Sequence, residues 1–111
     1  MQTTKNQKSA DPLARTYTDK EVRCMADEAS GDVRRILSFI HEQRSNSAML
    51  KEVKEVLASH SVRGEKALEL VAYSTEKKLL YMDVTSNGTF LTLTENAKAV
   101  LSQIYGGRTI R

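Results

Sequence analysis

The dipeptide Asn87-Gly88 sits between two runs that alternate apolar and polar residues, and no other feature constrains the fold as strongly. In LLYMDVTSNGTFLTLT, Leu80, Met82 and Val84 alternate with Tyr81, Asp83 and Thr85. Asn-Gly readily supplies the positive φ values of a two-residue type I′ turn. A two-residue loop at Asn87-Gly88 pairs Ser86 with Thr89, Val84 with Leu91 and Met82 with Leu93. Leu80, Met82, Val84, Leu91 and Leu93 then share one face.

Upstream of the hairpin the apolar period is 3.6. Thr18-Asp19-Lys20-Glu21 reads as a capping box that opens a helix carrying Val22, Met25, Ala26 and Ala29. Gly31 is the expected stop and Asp32 the expected cap of a second helix, whose Val33, Ile36, Leu37 and Ile40 repeat at i, i+3, i+4, i+7. Ser45-Asn46-Ser47 punctuates the chain. Ser47 is the expected cap of a third helix with Leu50, Val53 and Leu57, ending near Ala58. After the short break Ser59-His60-Ser61, Ser61 is expected to start a helix with Ala67, Leu70, Val71 and Ser74 on one side, which makes the pair a helix-turn-helix candidate. Beyond the hairpin, Thr94 caps a last helix with Ala97, Val100, Leu101 and Ile104, and Gly106-Gly107 ends it.

The chain has 111 residues, the size of one ordinary domain. Aromatics are 5% of it and tryptophan is absent, so Leu, Val, Ile, Ala and Met must build the core, which favours helices. Residues 1–17 read as a disordered polar tail, 18–107 as the folded domain and 108–111 as a frayed basic tail. No apolar run approaches the roughly 20 residues of a membrane span. One cysteine, Cys24, rules out a disulfide framework within the chain and suits a reducing compartment, and the N-terminus carries no secretory pattern, so a cytoplasmic location is expected.

The order helix, helix, tight turn, helix, Asn-Gly hairpin, helix resembles the winged helix-turn-helix superfamily over roughly residues 32–105. Glu76-Lys77-Lys78-Leu79-Leu80, followed by Leu91-Thr92-Leu93-Thr94-Glu95-Asn96-Ala97, is similar to the end of a recognition helix, the wing and the entry to the final helix in MarR-like and related small transcriptional regulators. The resemblance implies an α+β, helix-dominated domain with a two-stranded wing and a final helix. It also implies a regulator that binds double-stranded DNA with the helix after Ser61 in the major groove. Arg63 is the leading base reader, because its guanidinium can meet guanine O6 and N7 together, with Lys66 beside it and Ser61 donating to phosphate. Arg34 and Arg35, in a segment of net charge +2 (Arg34, Arg35 and Arg44 against Glu42), are candidates for backbone contact, and Asn87 for contact from the wing tip.

A competing reading makes the domain a protein interaction module. Glu65 and Glu69 lie on the candidate recognition helix, and the hairpin tip Thr85-Ser86-Asn87-Gly88-Thr89 carries no cation. Tyr81 and Phe90 share the hairpin face opposite the apolar one, with Leu79 beside them, as a candidate interface. The apolar stripes of the first and last helices would join across a two-fold axis in a homodimer if one chain left them unsatisfied. Catalysis has little basis. His41 and His60 are nineteen positions apart, no metal-ligand spacing exists, and Cys24 is expected as a buried small hydrophobe, so neither enzyme activity nor a cofactor is expected.

Overall fold

The computed structural model describes residues 11–106. Among these the chain forms five α-helices and a three-stranded antiparallel sheet, an α+β arrangement. In chain order the elements are α1 (Asp19–Glu28), α2 (Gly31–His41), β1 (Ser47–Met49), α3 (Leu50–Ala58), α4 (Glu65–Glu76), β2 (Leu80–Thr85), β3 (Gly88–Leu93) and α5 (Glu95–Ile104). The strand order is β1-β3-β2. No helix of the described residues is long and apolar enough to cross a membrane.

The sequence spacing locates the helices and their buried faces. Thr18 Oγ1 accepts from the Glu21 N–H at 3.1 Å while Glu21 Oε1 accepts from the Thr18 N–H at 2.8 Å, a complete capping box. Thr94 Oγ1 likewise accepts from the Ala97 N–H at 3.1 Å and opens α5. Helix α2 is the central strut, touching α3, α4, α5 and both β1 and β3, and its Val33, Ile36, Leu37 and Ile40 are buried. Burying one Leu or Ile side chain stabilises by roughly 1.5–3 kcal/mol, so this single stripe anchors the fold. Helices α1 and α5 pack on each other, burying Val22, Met25 and Ala26 with Val100 and Leu101. One chain therefore satisfies both stripes, and the condition that would have driven them to a two-fold partner is not met.

Several local expectations are corrected. Gly31 does not stop a helix; it is the first residue of α2, and Ser30 is the cap, its Oγ accepting from the Val33 N–H at 3.2 Å. Asp32 instead pairs with Arg35 at 2.6 Å. Ser47 caps nothing. It belongs to β1, opposite Thr92, with their hydroxyls 3.0 Å apart, and α3 begins after Met49, whose N–H donates to Glu52 Oε1 at 3.0 Å. Ser61 does not start α4. It has φ 68° within a longer turn, and Gly64, at φ 60° and ψ −131°, precedes the first helical residue Glu65. That backbone conformation is open essentially to glycine alone. Cys24 is exposed on α1 rather than buried.

The hairpin forms with its loop one residue earlier than expected. Thr85 pairs with Gly88, Val84 with Thr89, Met82 with Leu91 and Leu80 with Leu93. The loop residues are Ser86 and Asn87, neither with positive φ; Gly88 takes that role at φ 131°. Thr85 supplies the reason for the shift: its hydroxyl donates to the Gly88 carbonyl at 2.9 Å and accepts from the Asn87 N–H at 3.1 Å. Both strands keep their faces, because the slip moves every partner by two residues. Leu80, Leu91 and Leu93 are buried, Met82 is half-buried, and Val84, at 73% exposed, overhangs the core.

Residues 11–17 also depart from expectation. The described part of the polar tail is a strap laid across the ends of α4 and α5. Buried Asn96 holds it: Oδ1 accepts from the Thr16 and Tyr17 N–H groups at 2.8 and 2.9 Å, and Nδ2 donates to Thr16 Oγ1 at 3.0 Å and the Lys78 carbonyl at 3.2 Å. The Leu13 carbonyl accepts from the Glu95 N–H at 2.8 Å. The Tyr17 hydroxyl donates to the Lys77 carbonyl, and burial, with help from Glu21, raises its pKa above the usual 10.0. The rest of the expected tail, residues 1–10, lies outside the described residues, as do Gly107 and the 108–111 tail.

Candidate interaction surface

The surface that the helix-turn-helix reading singles out is built by α3, the turn Ser59–Gly64, α4 and the hairpin. The turn is closed by main-chain bonds: the Ser61 N–H donates to the Ala58 carbonyl at 3.0 Å and the Val62 N–H to the Leu57 carbonyl at 2.8 Å. Helix α4 is seated on Ala67, Val71 and Ser74, all buried. Facing the opposite way are Glu65, Glu69, Ala72 and Glu76, spaced i, i+4, i+7, i+11, and all four are exposed. A helix with 3.6 residues per turn brings that spacing into one ridge. The outermost line of α4 is therefore acidic. Leu68 flanks it at 46% exposed.

The expected contact residues do not converge. Arg63 is exposed but lies in the turn, not on α4; Lys66 is exposed in the first turn of α4; Ser61 is exposed in the turn; Asn87 is exposed at the hairpin tip. Arg34 and Arg35 serve the fold. Arg34 Nη2 donates to the Ala26 carbonyl of α1 at 3.1 Å, with its Nε enclosed and without a partner among the described residues. The guanidinium of Arg35 is held by Asp32. Neither offers a free cation for phosphate.

Two cations that the sequence reading passed over complete the picture. Lys51 and Lys54, both on α3, line two adjoining shallow grooves. One is shared with Arg63, Gly64 and Ala67, and the other with Gly88 and Thr89 of the hairpin tip. Their i, i+3 spacing marked them as one face of α3, but not that the hairpin tip abuts that face. Glu55 also lines the first groove.

On the hairpin, Leu79 is buried in the core, because the chain must still close over the end of α4 before β2 starts; its N–H donates to the Ser74 carbonyl at 2.9 Å. The outer apolar face thus reduces to Tyr81, 39% exposed, and half-buried Phe90. Strand β2 pairs only with β3 among the described residues, so one of its edges is unpaired.

Comparison with family models, curated proteins and solved structures finds no match.

Proposed function

We propose that residues 32–105 form a winged helix-turn-helix that works as a protein interaction module and does not read DNA. In this reading α3, the turn and α4 are the helix-turn-helix, β2 and β3 the wing, and β1 the short third strand of its sheet. One observation carries the choice between partners: the Glu65, Glu69, Ala72, Glu76 ridge is the part of α4 that a major groove would receive. A carboxylate brought to about 4 Å from a phosphate costs roughly 1 kcal/mol even in bulk water, and three of them point that way. The same ridge, with exposed Leu68 beside it, suits a protein surface that carries basic and apolar side chains. Exposed Val84 and Tyr81 add apolar contact area on the hairpin.

The alternative, a small DNA-binding regulator, draws on the adjoining grooves lined by Lys51, Lys54 and Arg63, one of which reaches the hairpin tip, together with exposed Lys66. Fluorescence anisotropy against mixed duplex DNA over a salt series separates the two. The interaction reading expects no binding at 50 mM salt by the native chain. It expects the double variant Glu65→Lys, Glu69→Lys to gain weak binding, its log K falling with log salt by roughly 0.9 per phosphate met. A slope of several units in the native chain overturns the proposal in favour of the regulator.

A further inference from the structure

A groove of about 550 Å³ runs between the strap, α1 and α5, on residues to which the proposed function assigns no role. That volume lies within the range of small-molecule sites, roughly 300–1,000 Å³. We infer that it binds a small organic or inorganic anion through Arg15 and Arg23.

The walls carry the argument. Arg15 comes from the strap, and its guanidinium is already fixed, Nη2 on Asp19 at 2.6 Å and Nε on the Tyr17 carbonyl at 2.9 Å. Arg23, one turn along α1 from Asp19, forms no ion pair among the described residues. Two guanidinium groups therefore face one carboxylate, which leaves the groove with a surplus cation. From α5, Ser102 and Gln103 add a hydroxyl and an amide able to donate to further oxygen atoms. A planar guanidinium fork matches carboxylate and phosphate oxygens two at a time, and Arg15 is ordered before any ligand arrives. A ligand of this class contributes one charged head for Arg23 and Arg15, with polar atoms toward Ser102 and Gln103.

The test is an NMR titration of the full chain with inorganic phosphate and, separately, with succinate, at constant ionic strength set with chloride. Saturable shifts confined to Arg15, Arg23 and Ser102 are expected from at least one probe, and which probe gives them distinguishes a phosphate from a carboxylate head. Arg23→Gln, at an exposed position, should weaken that binding at least tenfold, while Arg63→Gln should leave it unchanged. No saturable shift with either probe overturns the inference. So do equal shifts at Arg63 and Lys66, or an Arg23→Gln chain that binds as the native one does. The titration is independent of the DNA experiment, so either proposal can fail without the other.

Discussion

Asn96 is 1% exposed and joins three segments that are remote in sequence, so Asn96→Ala tests whether the strap belongs to the folded unit. The native side chain makes four hydrogen bonds, two accepted from the Thr16 and Tyr17 main chain and two donated to Thr16 Oγ1 and the Lys78 carbonyl. Each such bond contributes about 1 kcal/mol net, and a buried group left unpaired costs about 1–3 kcal/mol. Thr16 is exposed, so water can reach part of what the alanine leaves behind. The expected loss is therefore roughly 3 kcal/mol rather than the full sum. For a domain of this size, 1 kcal/mol corresponds to about 4–8 °C in Tm, so the melting point should fall by on the order of 15 °C. Urea denaturation gives the free energy, and hydrogen exchange locates it: the Thr16 and Tyr17 amides should lose protection before the α2 amides do. Asn96→Asp keeps the acceptor for both amides but sets an oxygen against the Lys78 carbonyl, and should fall between alanine and native. A loss below about 1 kcal/mol, with Thr16 and Tyr17 still protected, would refute this account of the strap.

Gly64→Ala should cost about 1–3 kcal/mol by urea denaturation. The cause is backbone strain at φ 60° alone, since an added Cβ meets nothing within 4 Å; a loss under 0.5 kcal/mol (about the noise of a surface change) would count against it. Tyr17 titrates above its ordinary 10.0 because burial disfavours the phenolate. Its native pKa is raised, so its contribution is complete below pH 10 and is lost as pH rises through the native value. Stability measured from pH 8 to 11 should drop at the alkaline end, and Tyr17→Phe should flatten that drop; an unchanged slope in the variant rules out Tyr17 as its source.

What the sequence revealed and what it hid divide along the range of the interactions. The stripes of α1, α2, α3 and α5 and the caps at Thr18 and Thr94 are set by neighbours within four residues, so spacing alone located them. Strand β1 was hidden because three residues, Ser-Ala-Met, are too few to show an alternation, and their pairing partner lies more than forty positions away at Phe90–Thr92. The strap was hidden for the same reason, since Asn96 makes it from eighty residues away. Reading Ser61 as the start of α4 overlooked Gly64, whose lack of a Cβ was the available signal for a turn that ends one residue later. Val84 misled in the opposite sense. Alternation assigns a face, but not how far along a strand the core extends, and Val84 is 73% exposed. At the candidate surface, Arg63 and Lys66 were legible as exposed cations. The internal use of Arg34 was not, because it depends on α1 packing beside α2, whereas the pairing of Arg35 with Asp32, three residues earlier on the same helix, was within reach of spacing.

The net charge of +3 does not describe the surface that α4 presents. Lys5, Lys8, Arg108 and Arg111 lie outside the described residues; Arg15, Arg35 and Lys98 are paired with Asp19, Asp32 and Glu95; Arg34 is bound to α1. On α3, the turn and α4, the four cations Lys51, Lys54, Arg63 and Lys66 meet the five glutamates Glu52, Glu55, Glu65, Glu69 and Glu76, so that unit carries a net charge of −1, and the hairpin adds only Asp83. Charges on an exposed surface act over about 10 Å at 0.1 M salt, so basic residues elsewhere in the chain do not offset glutamates on the α4 ridge. A phosphate backbone approaching α4 meets that local balance, not the total. Under the proposed winged helix-turn-helix reading the order of helices and strands would suit a groove reader, while the placement of three glutamates argues against that use, so the fold alone does not decide the function.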